Sequence, residues 1–299
     1  MQYHSLGKSD LKISAVSFGC MSLTGPDRAA NIRLLHQATD YGINFFDTAD
    51  LYEKGENEKL VGEAFRDQRS RVILATKVGN QWRPDGTGWD WNPGKAYILQ
   101  AVEASLRRLQ TDYIDLYQLH GGTLDDPIDE TIEAFELLKQ QGKIRQYGIS
   151  SIRPNVIREY VRRSSIASVM MQYSLLDRRP EETCLDLLQQ NQIGVLARGS
   201  LAQGLLAGKP AKDYLNYSAT EVNQAAQAVL AAAGANRRPA EVAITYVMAH
   251  PAISSAVLGI RTPEQLAEAH LVAQTNALTE IELNQLRQTL RPNTYEQHR

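Results

Sequence analysis

Short apolar runs alternate along this chain with longer stretches whose apolar residues recur every three or four positions. The short runs fall at 16–19, 44–47, 72–77, 113–119, 147–150, 168–172, 194–197 and 256–258. Their length and their Gly, Pro and Asp flanks suit buried strands. The longer stretches predict helices. Ile32, Leu35 and Ala38 mark one over 28–41, closed by Gly42; Leu60, Val61, Ala64 and Phe65 mark the next. Ile98, Val102 and Leu106 predict a helix over 94–109, and Ile132, Phe135 and Leu138 one over 127–140, capped by Gly142. Further helices are expected at 154–163, 180–191, 219–233, 239–249, 263–275 and 279–290, with Pro154, Pro239 and Pro263 in opening turns.

Residues 2–12, around Leu6-Gly7-Lys8, read instead as a small hairpin, placed to plug the floor of a barrel. No hairpin signal is read between the second and eighth runs. Strict alternation of strand and helix means parallel strands joined by crossover helices. Eight such units in 299 residues predict an α/β chain folded as one closed (β/α)8 TIM barrel over 1–299. The hairpin (1–12) precedes the barrel, and an extra C-terminal helix with a polar tail (279–299) follows it. No GxGxxG follows the first strand, which disfavours a doubly wound dinucleotide domain.

Three consecutive strands stop at a polar residue: the second at Asp47, the third at Lys77, the fourth at His120. Parallel neighbours about 4.8 Å apart bring these strand ends to one mouth. Tyr52, five residues past Asp47, can swing over it. A phenol is a poor acid, with an ordinary pKa of about 10. A neighbouring ammonium favours the phenolate, and a carboxylate keeps that ammonium charged. Tyr52 as acid, Lys77 as its tuner, Asp47 as holder of Lys77 and His120 as orienter of an oxygen make a carbonyl-activating set. The set lacks a nucleophile, so a cofactor hydride would complete it. Singly, Asp47 or His120 could be a turn former, Lys77 a solvated charge or a Schiff-base nucleophile, and Tyr52 a packed aromatic. Four together on adjacent strand ends make those readings weak. The segment 80–93 reads as a long loop carrying Trp82, Trp89 and Trp91, a lining for an apolar substrate.

Charge and cysteine usage narrow the classes further. The net charge is −2 with both signs spread along the chain, so no nucleic-acid footprint is expected. Cys20 and Cys184 lie far apart, which suits neither a disulfide framework nor a zinc site, and no metal is expected. The N-terminus lacks an apolar targeting core and no run is long enough to span a bilayer, so the expectation is a soluble cytoplasmic protein with no membrane partner.

The motif Asp47-Thr48-Ala49-x2-Tyr52-x2-Gly55-Glu56-x-Glu58-x2-Val61-Gly62, then Ala75-Thr76-Lys77, then Asp112-Tyr113-Ile114-Asp115-Leu116 leading to His120, resembles the aldo-keto reductases. Gly142-Lys143-Ile144-Arg145-x2-Gly148-Ile149-Ser150 and Gln172-Tyr173-Ser174-Leu175 extend the similarity over nearly the whole chain. The resemblance implies NADPH-dependent reduction of a small-molecule carbonyl on a barrel without a Rossmann fold. It gives Asp47, Tyr52, Lys77 and His120 the roles argued above, with Tyr52 and His120 also meeting the substrate. It implies that Ser150, Ser151 and Gln172 bind the nicotinamide carboxamide, and that Gly19, Met21 and Asp47 contact the cofactor. Ser151 stands where many relatives have asparagine. Arg198-Gly199-Ser200-Leu201 stands where many have tyrosine-serine-proline-leucine, which brings a cation near the nicotinamide or pyrophosphate. Leu201, Gln203 and Gly204 would line the phosphate path. Gly259, Arg261 and Gln265, at the start of the last barrel helix, resemble a 2′-phosphate site that favours NADPH over NADH. Two rival readings stand beside this one: a lysine Schiff-base, aldolase-like barrel, and an NADPH-binding redox-sensing subunit with little turnover.

Overall fold

The computed structural model describes residues 1–25 and 27–299. Eight strands close into a parallel barrel: β3 (Val16–Gly19), β4 (Phe45–Asp47), β5 (Ile73–Val78), β8 (Ile114–Leu119), β9 (Ile144–Ser150), β10 (Ser168–Gln172), β11 (Gly194–Arg198) and β12 (Ile253–Gly259). They pair in that order, and β12 closes the ring on β3 with Gly259 opposite Gly19. Around them run α1 (Arg28–Asp40), α2 (Glu56–Phe65), α3 (Lys95–Leu109), α4 (Ile128–Gln140), α5 (Pro154–Arg163), α6 (Cys184–Gln190), α7 (Ala219–Ala233), α8 (Pro239–Met248) and α9 (Pro263–Val272), with α10 (Glu280–Thr289) beyond the barrel. This is the (β/α)8 architecture expected, with its N-terminal hairpin and extra C-terminal helix. No helix among the described residues is long and apolar enough to cross a membrane.

Four helices, α1, α7, α9 and α10, begin where a side chain satisfies a free amide of the first turn. Asp27 accepts from Ala30 N at 2.8 Å to start α1. Ser218 with Glu221, and Thr279 with Glu282, form reciprocal boxes at α7 and α10. Gly42 takes φ +88° after α1, a conformation that favours glycine.

The period of two along a strand sorts the core into two layers. Outward residues such as Phe18, Phe46, Leu74, Tyr117 and Val195 pack beneath the helices. Inward residues Phe45, Ala75, Leu116, Met170, Leu196 and Val257 meet inside the barrel. There they are joined by Leu6, Leu11 and Ile13 of the N-terminal hairpin, which stoppers the amino end as expected. That hairpin pairs β1 (Tyr3–Ser5) with β2 (Lys12–Ser14), reaching two residues beyond the expected limit.

Two expectations need correction. Segment 80–93 is not a plain loop, and a hairpin does fall between the second and eighth barrel strands. Here β6 (Asn80–Trp82) pairs antiparallel with β7 (Trp89–Trp91), Trp82 opposite Trp89 and Asn80 opposite Trp91. The Pro84-Asp85-Gly86 turn closes it, with Gly86 at φ +71° and Arg83 N bonded to Gly88 O at 2.9 Å. The expected helix over 180–191 is split: a 3-10 turn, Arg179–Glu182, precedes α6, and Thr183 between them leaves the helical region at φ −153°.

Candidate active site

Strand parity aims the polar residues into the mouth. Phe45 is inward on β4, so Asp47 is too; Ala75 is inward on β5, hence Lys77; Leu116 is inward on β8, hence Gln118 and His120. His120 lies one residue past β8, its backbone N–H donating to Val78 O at 2.7 Å. Tyr52 opens a 3-10 turn after β4.

These side chains meet. Lys77 Nζ donates to Asp47 Oδ2 at 2.6 Å, Thr48 O at 2.7 Å and Tyr52 Oη at 3.2 Å. Gln118 Nε2 donates to the other Asp47 oxygen at 3.3 Å. The rings of Tyr52 and His120 sit edge to face, centroids 5.9 Å apart at 82°. Lys77 is 1 % exposed and Asp47 5 %. Burial raises the Asp47 carboxyl above its usual range, and Lys77 recovers only part of that. Burial also works against the Lys77 charge, but Asp47 and Tyr52 outweigh it and raise the ammonium's pKa. The two directions oppose each other. Lys77 has three acceptors within 3.2 Å and Asp47 two donors, so the ion pair holds and the lysine's direction governs. Burial, then the charges of Lys77 and Arg198, push the His120 imidazole down to about 3. It is therefore neutral at pH 7.

The same parity brings other expected residues to the rim. Gln172 ends β10 opposite Arg198, the exposed end of β11. Ser150 ends β9, and Ser151, 6 % exposed, follows it, its amide held by Met170 O at 3.0 Å. Gly19 ends β3 opposite Asp47, and Met21 beyond it is 62 % exposed. Gly199, Ser200, Leu201, Gln203, Gly204, Gly259, Arg261 and Gln265 line one cleft of about 380 Å³ between the loops after β11 and β12. Gln265 Oε1 accepts from Arg261 N at 2.8 Å, which ties the two residues together over the start of α9.

A dinucleotide fits this surface on two counts. Ser200 Oγ, Ser22 Oγ and His120 Nδ1 are buried with no partner in the protein. The cleft also exposes backbone at Gly199 and Gly204, both at positive φ, beside Lys209. The three tryptophans share one face of the β6–β7 hairpin, but only Trp89, at 47 %, is well exposed; Trp82 and Trp91 are half-buried.

Sequence reasoning missed several residues. Gln118 was legible by parity, two positions before His120. Ser22 and Lys209 flank expected positions. Asn57, fully buried, accepts from Thr48 Oγ1 at 2.7 Å and donates to Cys20 O at 2.9 Å. It thereby ties the loop after β3 to the segment that carries one of the Lys77 acceptors. Nothing in the sequence pattern marks that reach.

A parallel barrel with a buried Asp–Lys pair touching a tyrosine, a histidine edge-on, and a polar cleft alongside defines a class of oxidoreductase barrels. The chain matches the aldo/keto reductase family over residues 15–291 and belongs to that family. It is 50 % identical to the uncharacterised oxidoreductase YqkF of Bacillus subtilis (strain 168), over 100 % of each chain. Among solved structures, the holo form of aldo-keto reductase AKR11C1 from Bacillus halodurans superposes with TM-score 0.94 at 48 % identity, covering 100 % of this chain and 99 % of that one. An aldo/keto reductase of Klebsiella pneumoniae in complex with NADP and acetate gives TM-score 0.81 at 27 % identity, covering 100 % and 99 %. The protein is an oxidoreductase of this family.

Proposed function

We propose that this protein reduces aldehydes and ketones to alcohols with NADPH, reversibly, and that Tyr52 supplies the proton. The observation that carries this reading is a single ammonium, Lys77 Nζ, bridging Asp47 at 2.6 Å and the Tyr52 phenol at 3.2 Å. When bound, the cofactor would supply a hydride to the carbonyl carbon. His120, neutral at pH 7, holds the carbonyl oxygen beside the phenol. As charge develops on that oxygen, Tyr52 protonates it, and the Lys77 ammonium stabilises the phenolate left behind. Asp47 and Gln118 keep the lysine in place and charged.

The residues that would hold the cofactor line the rim. Ser150, Ser151 and Gln172 would hold the carboxamide, Gly19 and Met21 would meet it at the first strand end, and Arg198 would offer its cation to the nicotinamide or pyrophosphate. Gly199, Ser200, Leu201, Gln203 and Gly204 would follow the phosphates. Gly259, Arg261 and Gln265 would read the 2′-phosphate at the N-terminus of α9 and favour NADPH over NADH. The NADP complex of the Klebsiella relative supports this reading.

A Schiff base at Lys77 needs a neutral, reachable amine. A raised pKa, 1 % exposure and three acceptors argue against it. The test is loss of nicotinamide absorbance when the protein meets NADPH and a panel of aldehydes and ketones. Turnover supports the proposal. Tight NADPH binding with no turnover across the panel would favour a redox-sensing subunit, and a borohydride-trapped substrate adduct a Schiff-base enzyme.

A further inference from the structure

The β6–β7 hairpin lies outside the barrel, yet it grips the two loops that bear Tyr52 and His120. On one side, Trp82 Nε1 donates to Leu51 O, the residue before Tyr52, at 3.3 Å. Lys54 Nζ lies 5.2 Å from the centre of the Trp82 ring and reaches Gly86 O at 3.4 Å. This grip falls on strained backbone: Glu53 and Lys54 hold φ of +48° and +56°. Left-handed residues other than glycine are strained and persist only where their surroundings hold them.

On the other side, Trp91 Nε1 donates to Asp126 Oδ1 at 2.9 Å. Asp126 also accepts from Thr123 N at 2.7 Å and Thr123 Oγ1 at 2.9 Å, which folds the loop beyond His120. The Trp91 ring packs onto Gly79 and Gly121, where an added Cβ would come within 2.6 and 3.3 Å of it. Asn80 Nδ2 donates to His120 O at 3.4 Å.

We infer that the hairpin is a bracket: Trp82 and Trp91 are positioning residues that set the approach of Tyr52 to His120, rather than walls for the substrate. The inference rests on the proposed reductase reading. The bracket joins the loop after β4 to the loop after β8, whose Tyr52 and His120 rings meet edge to face at 5.9 Å. Releasing either side lets one ring drift while the cofactor cleft, lined by the loops after β11 and β12, keeps its shape.

Trp82→Phe and Trp91→Phe, made in the full chain, are compared with wild type using a small aliphatic aldehyde and a large aromatic one. The bracket requires kcat to fall for both substrates alike, on the order of tenfold, because misplacing a proton donor affects every substrate. NADPH affinity by fluorescence titration stays unchanged. Asp126→Ala, which also frees Thr123, should lower kcat at least as far as Trp91→Phe, with Trp91→Phe adding little on top of it, and Asp126→Asn, which keeps an acceptor, should restore part of the rate. If KM rises for the aromatic aldehyde alone while kcat for the small one holds, the tryptophans are substrate walls and the inference falls. Hydrogen exchange provides a readout independent of activity: amides of 48–55 must speed up in Trp82→Phe and those of 120–126 in Trp91→Phe, and unchanged exchange in both overturns the bracket. A wild-type protein that reduces no carbonyl defeats the proposed reaction, whereas the exchange result then decides the bracket by itself.

Discussion

The Tyr52 phenol oxygen stands 3.2 Å from the Lys77 ammonium, although the two residues arrive from different elements, a turn after β4 and the inner face of β5. The same ammonium lies 4.9 Å from the centre of the Tyr52 ring, so it faces both the ring and its oxygen. Because Lys77 is 1 % exposed, water screens this contact little. The pair can act as one acid.

Replacing Tyr52 by Phe keeps the ring beside Lys77 and removes only the oxygen. The proposed mechanism requires kcat to drop by on the order of 10²–10⁴, the usual contribution of a positioned proton donor. NADPH binding should be untouched in a fluorescence titration. A variant that keeps most of its turnover assigns the proton to another group.

Lys77→Met should abolish activity and also weaken the fold. It leaves the buried Asp47 carboxylate without its cation, a loss of about 3–5 kcal/mol in typical buried pairs. Adding Asp47→Asn removes the stranded charge, so the double variant should regain much of that stability without regaining activity. Urea denaturation of the three proteins provides the comparison; a double variant no more stable than Lys77→Met would rule out the stranded charge as the cause.

His120 gives the fold an acid sensitivity whose sign follows from its position. Its imidazole titrates at about 3 in the folded protein, against an ordinary value of 6.5. Between those values the unfolded chain binds more protons, so stability rises with pH across that window and levels off above it. Acidification below 6.5 therefore costs stability through this residue. In His120→Gln that contribution disappears, and chemical denaturation at mildly acidic and neutral pH should reveal a smaller loss on acidification than in wild type. An imidazole signal of His120 that titrates near neutrality by NMR would contradict the burial argument.

Arg261→Ala tests cofactor choice. A charged hydrogen bond contributes about 1.5–3 kcal/mol, so KM for NADPH should rise on the order of tenfold or more while KM for NADH holds. Equal changes for both cofactors would mean that Arg261 does not read the 2′-phosphate.

Much of this architecture was legible in the sequence because its elements are punctuated. The strands 16–19 and 168–172 and the helices 154–163 and 219–233 end where the structure ends them, and Gly19, Pro154 and the capping Ser218 punctuate three of the four. The convergence of Asp47, Lys77 and His120 was equally legible, since strand order and parity alone decide it. The β6–β7 hairpin escaped because its strands have three residues each and are joined by a six-residue turn, too short for alternation to stand out. Even so, Trp-Asp-Trp and Pro-Asp-Gly both carried the signal. Asn57 was hidden for a different reason. Two of its three partners are backbone carbonyls from a distant loop, and only tertiary packing brings them within reach.

The stopper of Leu6, Leu11 and Ile13 separates the molecule's two ends by task. Below, Asp115 gathers Arg69 at 2.6 Å and Arg145 at 3.0 Å, and Arg145 goes on to Asp10 of the same N-terminal hairpin at 2.9 Å, so the base is riveted shut by both oil and charge. The way in is left to the strand tips, where Asp47, Lys77 and His120 stand. A chassis sealed in this way tolerates remodelling of its upper loops, because new side chains around the entrance need not disturb what keeps the cylinder standing.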